Sequence, residues 1–218
     1  MLSVRIAFNK TGAAKYISHL DLNRVFMKMF TRADLPLAYT EGFNPRPRVV
    51  FSATISLGVE SLAELVDVRL TDNMPPEKIK AALTREAPEG IVIKNVYLPT
   101  RDFKEIAYSV YRVFVKATAD KQTLDALFAA PVVMEKRSKH KNYETDIMEN
   151  VVKLTVSDRD ADGYFVIDAV LQSNNEAFLN PDYLVRAVRT VAEVPDAYIV
   201  KLGILTAGDD PDLIRELL

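Results

Sequence analysis

Residues Ser3–Lys10 read SVRIAFNK, and the alternation decides how the chain begins. Val4, Ile6 and Phe8 fall on one side and Arg5, Ala7 and Asn9 on the other, the period-two pattern of a half-buried strand. The period changes downstream. Leu22, Val25, Phe26, Met29 and Phe30 recur at i, i+3, i+4, i+7 and i+8, which predicts an amphipathic helix over about Asp21–Ala33 with Ser18 as its N-cap. Strands follow near 49–55 and 64–70; in the second, Val66, Val68 and Leu70 face one way and Asp67 and Arg69 the other. A helix that starts at "MPP" and stops at "APEG", then the strand "IVIKNVYL", complete the order β-α-β-β-α-β.

The second half repeats this order. "YSVYRVFVKA" reads as a strand and "DKQTLDALFAA" as a helix capped by Asp120. "VVKLTVSD" and "YFVIDAVLQ" form a hairpin around "RDADG". "NPDYLVRAVRTVA" is a helix with an Asn cap and Pro at its first position, and "AYIVKLGILT" is the last strand. The expected class is therefore α+β, as two tandem ferredoxin-like (βαββαβ) domains at 1–100 and 107–206, joined near 99–107 and followed by an acidic tail at 207–218.

Composition narrows the chemistry. The 218 residues contain no cysteine and two histidines, His19 and His140. Disulfides, thiolate zinc sites and cysteine-ligated clusters are excluded for these residues, and neither a metal nor another cofactor is expected. No apolar run approaches the roughly 18 residues of a membrane span, and "MLSVRIAFNK" has no signal-peptide pattern, so a cytoplasmic protein without membrane contact is expected. The net charge is −2, but it is unevenly spread: residues 1–56 hold eight Lys/Arg against three Asp/Glu. One basic face on a mildly acidic protein is consistent with a polyanionic partner.

Three segments carry that basic character. Arg24, Lys28 and Arg32 lie at i, i+4 and i+8, a positive stripe away from the apolar face of the first helix, which Lys15, Arg46 and Arg48 are expected to extend. "EGFNPRPRVVF" (41–51) is the second. Gly42 permits a turn with φ > 0, while Pro45 and Pro47 fix their own φ and push Asn44 and Arg46 toward extended geometry. The outcome is a stiff loop that presents Phe43, Arg46 and Arg48 for base stacking and phosphate pairing, or else a crossover whose Phe43 plugs the core. The third, "EKRSKHKNYETD", interleaves Lys136, Arg137, Lys139, His140 and Lys141 with Tyr143, as in a flexible nucleic-acid arm or a solvated hairpin extension. For acid–base chemistry the weak candidates are His19, Asp21 and Tyr39.

"KYISHLDLNRVF", "LPLAYTEGFNPRPRVVFSATISLGVES" and "VDVRL" together resemble the bacterial radical-SAM-linked proteins, the DUF2344 family, with a weaker likeness through "EKRSKHKNYETDI". The resemblance implies a partner, a B12-binding radical SAM protein, rather than an activity of its own. Without cysteine, these residues supply no cluster ligands. At the level of fold, tandem ferredoxin-like domains are also similar to Cas6-type RNA endonucleases. The expected function is an RNA-associated accessory protein working with a radical SAM protein in RNA modification or processing. A metal-independent endoribonuclease and a protein–protein adaptor without nucleic acid are the alternatives.

Overall fold

The computed structural model describes residues 1–53, 55–137, 142–174 and 176–209, apart from the side chains of Arg137 and Asn142. The chain divides into two compact units, Met1–Phe103 and Lys104–Leu218. Among the described residues each combines an antiparallel sheet with two α-helices, so the class is α+β.

In the first unit the order is β1 (Leu2–Lys10), α1 (His19–Arg32), β2 (Val49–Phe51), β3 (Val59–Leu70), α2 (Pro76–Glu86) and β4 (Ile91–Tyr97). The strands lie in the order β4-β1-β3-β2, all neighbours antiparallel. The alternation of β1 is realised: Val4, Ile6 and Phe8 are buried and meet the apolar stripe of α1, with the Phe8 and Phe26 rings 4.6 Å apart. Phe51 closes the cluster edge-on to Phe26 at 5.4 Å. Ser18 caps α1 as expected, its hydroxyl accepting from the Asp21 N–H at 3.1 Å. The helix begins at His19, two residues earlier than the apolar period marks, because the first turn of a helix need not bury a side chain. It ends where Asp34 takes φ 52° and Leu35 N–H returns to the Phe30 carbonyl.

β3 starts at Val59, well before the expected 64. Its early residues defeat the apolar period because inward positions are polar: Ser61 and Glu64 are buried and hydrogen-bonded to each other at 2.7 Å. Opposite Ser61 in register lies Lys10, fully buried, its ammonium donating to the Lys15 carbonyl at 3.1 Å. Burial pushes the Lys10 pKa down, against the opposing pull of the Glu64 charge.

The second unit runs β5 (Ile106–Lys116), α3 (Lys121–Phe128), β6 (Val133–Arg137), β7 (Asn142–Asp146), β8 (Val151–Val156), β9 (Phe165–Gln172), α4 (Asp182–Val188) and β10 (Asp196–Thr206). Its main sheet is ordered β10-β5-β9-β8, the same connectivity again. Asp120 caps α3 through the Thr123 N–H at 2.8 Å. At α4 the cap shifts by one: Asn180 accepts from the Asp182 N–H, and Pro181 precedes the helix instead of opening it. β6 and β7 form a separate two-stranded ribbon where the sequence reading left an arm or a solvated hairpin extension. Asp146 anchors its base, accepting from the Val132 and Met148 N–H groups.

Two features recur in both units. The first strand carries an arginine paired in register with an aspartate of the third strand: Arg5 with Asp67 and Arg112 with Asp168. Both pairs are bidentate, at 2.7 and 2.8 Å and at 2.7 and 3.0 Å. Likewise, in both units the connection from the first helix to the second strand is elaborated into a ribbon: residues 38–48 in one, β6–β7 in the other.

Candidate nucleic-acid interface

The 38–48 ribbon is built by four backbone hydrogen bonds. Thr40 N–H donates to the Arg46 carbonyl and Arg48 N–H to the Ala38 carbonyl, each at 2.8 Å. At the base, Ala38 N–H donates to the Arg69 carbonyl and Arg69 N–H to the Arg48 carbonyl, at 2.8 and 3.0 Å. The Thr40 hydroxyl accepts from Arg46 N–H at 3.0 Å. Pro45 and Pro47 remove the remaining slack, and Gly42, at φ +119°, makes the turn that side-chain-bearing residues avoid. All of 41–45 is exposed. Phe43 has 107% relative exposure, so it plugs no core.

Register places the arginines. Val50 pairs with Asp67 and Val49 with Val68, so the pairing continues to Arg48 opposite Arg69, on the sheet face away from α1. Like charges directly opposite one another on a sheet are unfavourable unless something neutralises them. The Arg48 guanidinium bonds the Tyr39 carbonyl at 3.3 Å, while the Arg46 side chain has no ion-pair partner among the described residues. The sequence reading missed Arg69 because an outward residue of an alternating strand carries no signal of its own. Glu41 is the one acid of the segment 38–48.

The α1 stripe lies elsewhere. Leu22, Phe26, Met29 and Phe30 turn one side of α1 to the sheet, so exposed Arg24, Lys28 and Arg32 occupy the outer side. Arg48 and Arg69 lie on the far face of the sheet. The single surface expected from stripe plus loop is therefore split across two layers. Arg24 is also engaged, bonding Asp21 at 2.9 Å. Lys15 is engaged too, 3.3 Å from Glu60 with its ammonium over the Tyr16 ring.

The acid–base candidates do not converge. Asp21 bonds the Ser18 hydroxyl and then Arg24, and these hold its carboxyl below the usual carboxylate range. His19 is half-buried, edge-on to Phe51 at 5.4 Å, with Nδ1 buried and unpartnered. Tyr39 stands on the ribbon, 52% exposed. Among the described residues no group of three or more histidines and acids is placed to hold a metal ion.

In the second ribbon, Lys136 and Tyr143 are register partners on one face, and the Lys136 ammonium reaches the ring of Tyr183, which Arg186 also covers. Its other face sets Glu135 opposite Glu144, which weakens the case for phosphate there. Lys139, His140, Lys141 and the Arg137 side chain lie outside the described residues, as does most of the acidic tail, 210–218.

Comparison with protein families matches residues 3–181 to the family described as "Uncharacterized protein conserved in bacteria (DUF2344)". The chain belongs to this family. A search of curated proteins finds no match. Among solved structures, the DUF2344 chain is similar to a chain in a crystal structure of a Cbf5-Nop10-Gar1 complex, at 7% identity and TM-score 0.48, over 91% of this chain and 47% of that one. The DUF2344 chain thus spans about half the length of that neighbour. It is also similar to an unknown protein from Galdieria sulphuraria, at 12% identity and TM-score 0.27, over 91% of this chain and 98% of that one. No helix among the described residues is long and apolar enough to cross a membrane.

Proposed function

We propose that this chain is an RNA-associated accessory protein, built of two ferredoxin-like units, that binds RNA phosphate through the 38–48 ribbon and serves a B12-binding radical SAM protein in RNA modification or processing. The observation that carries the RNA part is the ribbon: a braced, proline-stiffened projection with Arg46 and Arg48 along it, Arg69 of β3 at its base and no core function for its tip. Guanidinium groups carried on a braced backbone lose less conformational freedom when they bind phosphate than those of a flexible loop. The α1 stripe is a separate, secondary contact, since Arg24 is already paired. The radical SAM partnership rests on the family resemblance and on chemistry: 218 residues without cysteine cannot ligate the cluster such a reaction uses.

Fluorescence anisotropy with labelled RNA across a salt series tests the reading. Wild type binds with a log–log salt slope of about −0.7 per phosphate contact to a single strand. The pair Arg46→Glu and Arg69→Glu weakens binding more than Lys28→Glu with Arg32→Glu. Binding too weak to detect at low salt puts the protein–protein adaptor in place of the RNA reading, and a loss from Lys28→Glu with Arg32→Glu that equals or exceeds the loss from the first pair overturns the ribbon as the principal contact.

A further inference from the structure

Phe43 names the class of RNA, and this inference rests on the RNA reading above. We infer that the ribbon tip is a stacking site for an unpaired base, so that the ligand is single-stranded RNA and not a duplex. The ring is as exposed as a side chain can be, yet its backbone is held on both sides. Thr40 and Arg46 bond each other twice, through the backbone and through the Thr40 hydroxyl, immediately before and after the tip. Pro45 and Pro47 restrict the return strand, and Gly42 supplies a backbone angle that only glycine adopts readily. Rigid backbone under a wholly solvated phenyl ring is poor use of an apolar group for folding; as a binding surface it is preorganised.

The surroundings select the ligand. An aromatic face stacks any base, provided that base is not already stacked in a helix. The arginines of the same ribbon meet the phosphates on either side of such a base. A two-stranded ribbon is of a size to enter the major groove of B-form DNA, but the deep, narrow major groove of A-form RNA does not admit it. In duplex RNA the Phe43 ring therefore has nothing to stack on. In a single strand it has every base, which predicts weak preference for sequence and strong preference for strandedness.

The test uses the full chain with a short single-stranded RNA carrying 2-aminopurine, the same strand annealed to its complement, and the matching duplex DNA. Wild type binds the single strand in preference to both duplexes and changes the 2-aminopurine fluorescence on binding. Phe43→Ala lowers single-strand affinity roughly 5- to 150-fold, the range for one stacked base, and abolishes the fluorescence change. Its salt slope stays that of wild type, because no phosphate contact is lost. Phe43→Trp restores both signals. Unchanged far-UV circular dichroism and urea midpoint show that Phe43→Ala is folded. If Phe43→Ala binds as wild type while Arg46→Glu with Arg69→Glu does not, stacking is overturned and phosphate binding stands. Tighter binding of either duplex overturns the single-strand assignment. Wild type that binds none of the three overturns the RNA reading itself.

Discussion

Asp67→Asn and Asp168→Asn remove one charge from equivalent ion pairs, and the structure predicts unequal costs. Removing one partner from a fully buried pair costs about 3–5 kcal/mol, because the other is left charged and dry. The Arg5 side chain is only 8% exposed and that of Asp67 23%, whereas Arg112 is 27% and Asp168 11% exposed. After Asp67→Asn, the Arg5 guanidinium keeps the Arg101 carbonyl at 2.9 Å and the Phe103 ring at 4.0 Å but cannot reach bulk water, so we expect about 2–3 kcal/mol of lost stability. After Asp168→Asn, the more open Arg112 rehydrates, and about 1–2 kcal/mol is expected. In the intact protein both pairs raise the arginine pKa, chiefly through the aspartate hydrogen bond; without that bond the guanidinium still stays charged in either variant, because arginine is protonated throughout the accessible pH range. Converting a whole pair, as in Arg5→Met with Asp67→Leu, leaves no stranded charge and returns most of the loss. Urea titration by far-UV circular dichroism measures each difference, and backbone hydrogen exchange assigns it to β1–β3 or β5–β9. Equal costs for the two Asn variants, or a double variant worse than the sum of its singles, would refute the argument that solvent access to the arginine sets the penalty.

Three further outcomes follow from the packing. Gly90→Ala destabilises the first unit by more than about 1 kcal/mol, since a Cβ at φ +84° would lie 2.4 Å from the Thr11 carbonyl oxygen and 2.7 Å from the Ala14 Cβ, while Gly42→Ala meets open space and perturbs only the ribbon turn; urea midpoints separate them. Phe26→Ala costs about 3–5 kcal/mol by emptying the Phe8–Phe51 cluster, and Phe43→Ala changes stability by less than about 0.5 kcal/mol, measured by the same titration. The Tyr164 hydroxyl, bonded to the Asp196 carboxylate, is pushed up to about 12 from 10.0, first by that bond and then by desolvation. Its folded pKa is the higher one, so its contribution is complete below pH 10.0 and is lost as pH rises toward about 12. Phenolate absorbance should show a late-ionising component that Tyr164→Phe removes.

Periodicity by itself determined the element order of the first half and, apart from the β6–β7 ribbon, of the second. Alternation and helical stripes record which side chains must leave water, and that demand is local in the chain. The Ser18 and Asp120 caps were legible for the same reason: each bonds an N–H three residues on. The stiffness of 41–51 was legible because proline and glycine act through their own dihedral angles. Tertiary structure alone decided what lies opposite what. Ser61, Glu64 and Lys10 are inward polar residues whose burial is explained by one another and by the Lys15 carbonyl, so β3 extends past its apolar period. Arg5 and Asp67 are 62 residues apart and look like ordinary outward residues until register joins them. Arg48 meets Arg69 by the same rule, and register also sets them on the opposite side of the sheet from Arg24, Lys28 and Arg32. Charge counted along a sequence adds these groups together; a sheet between them separates them, because successive residues of a strand face opposite sides and a helix covers only one.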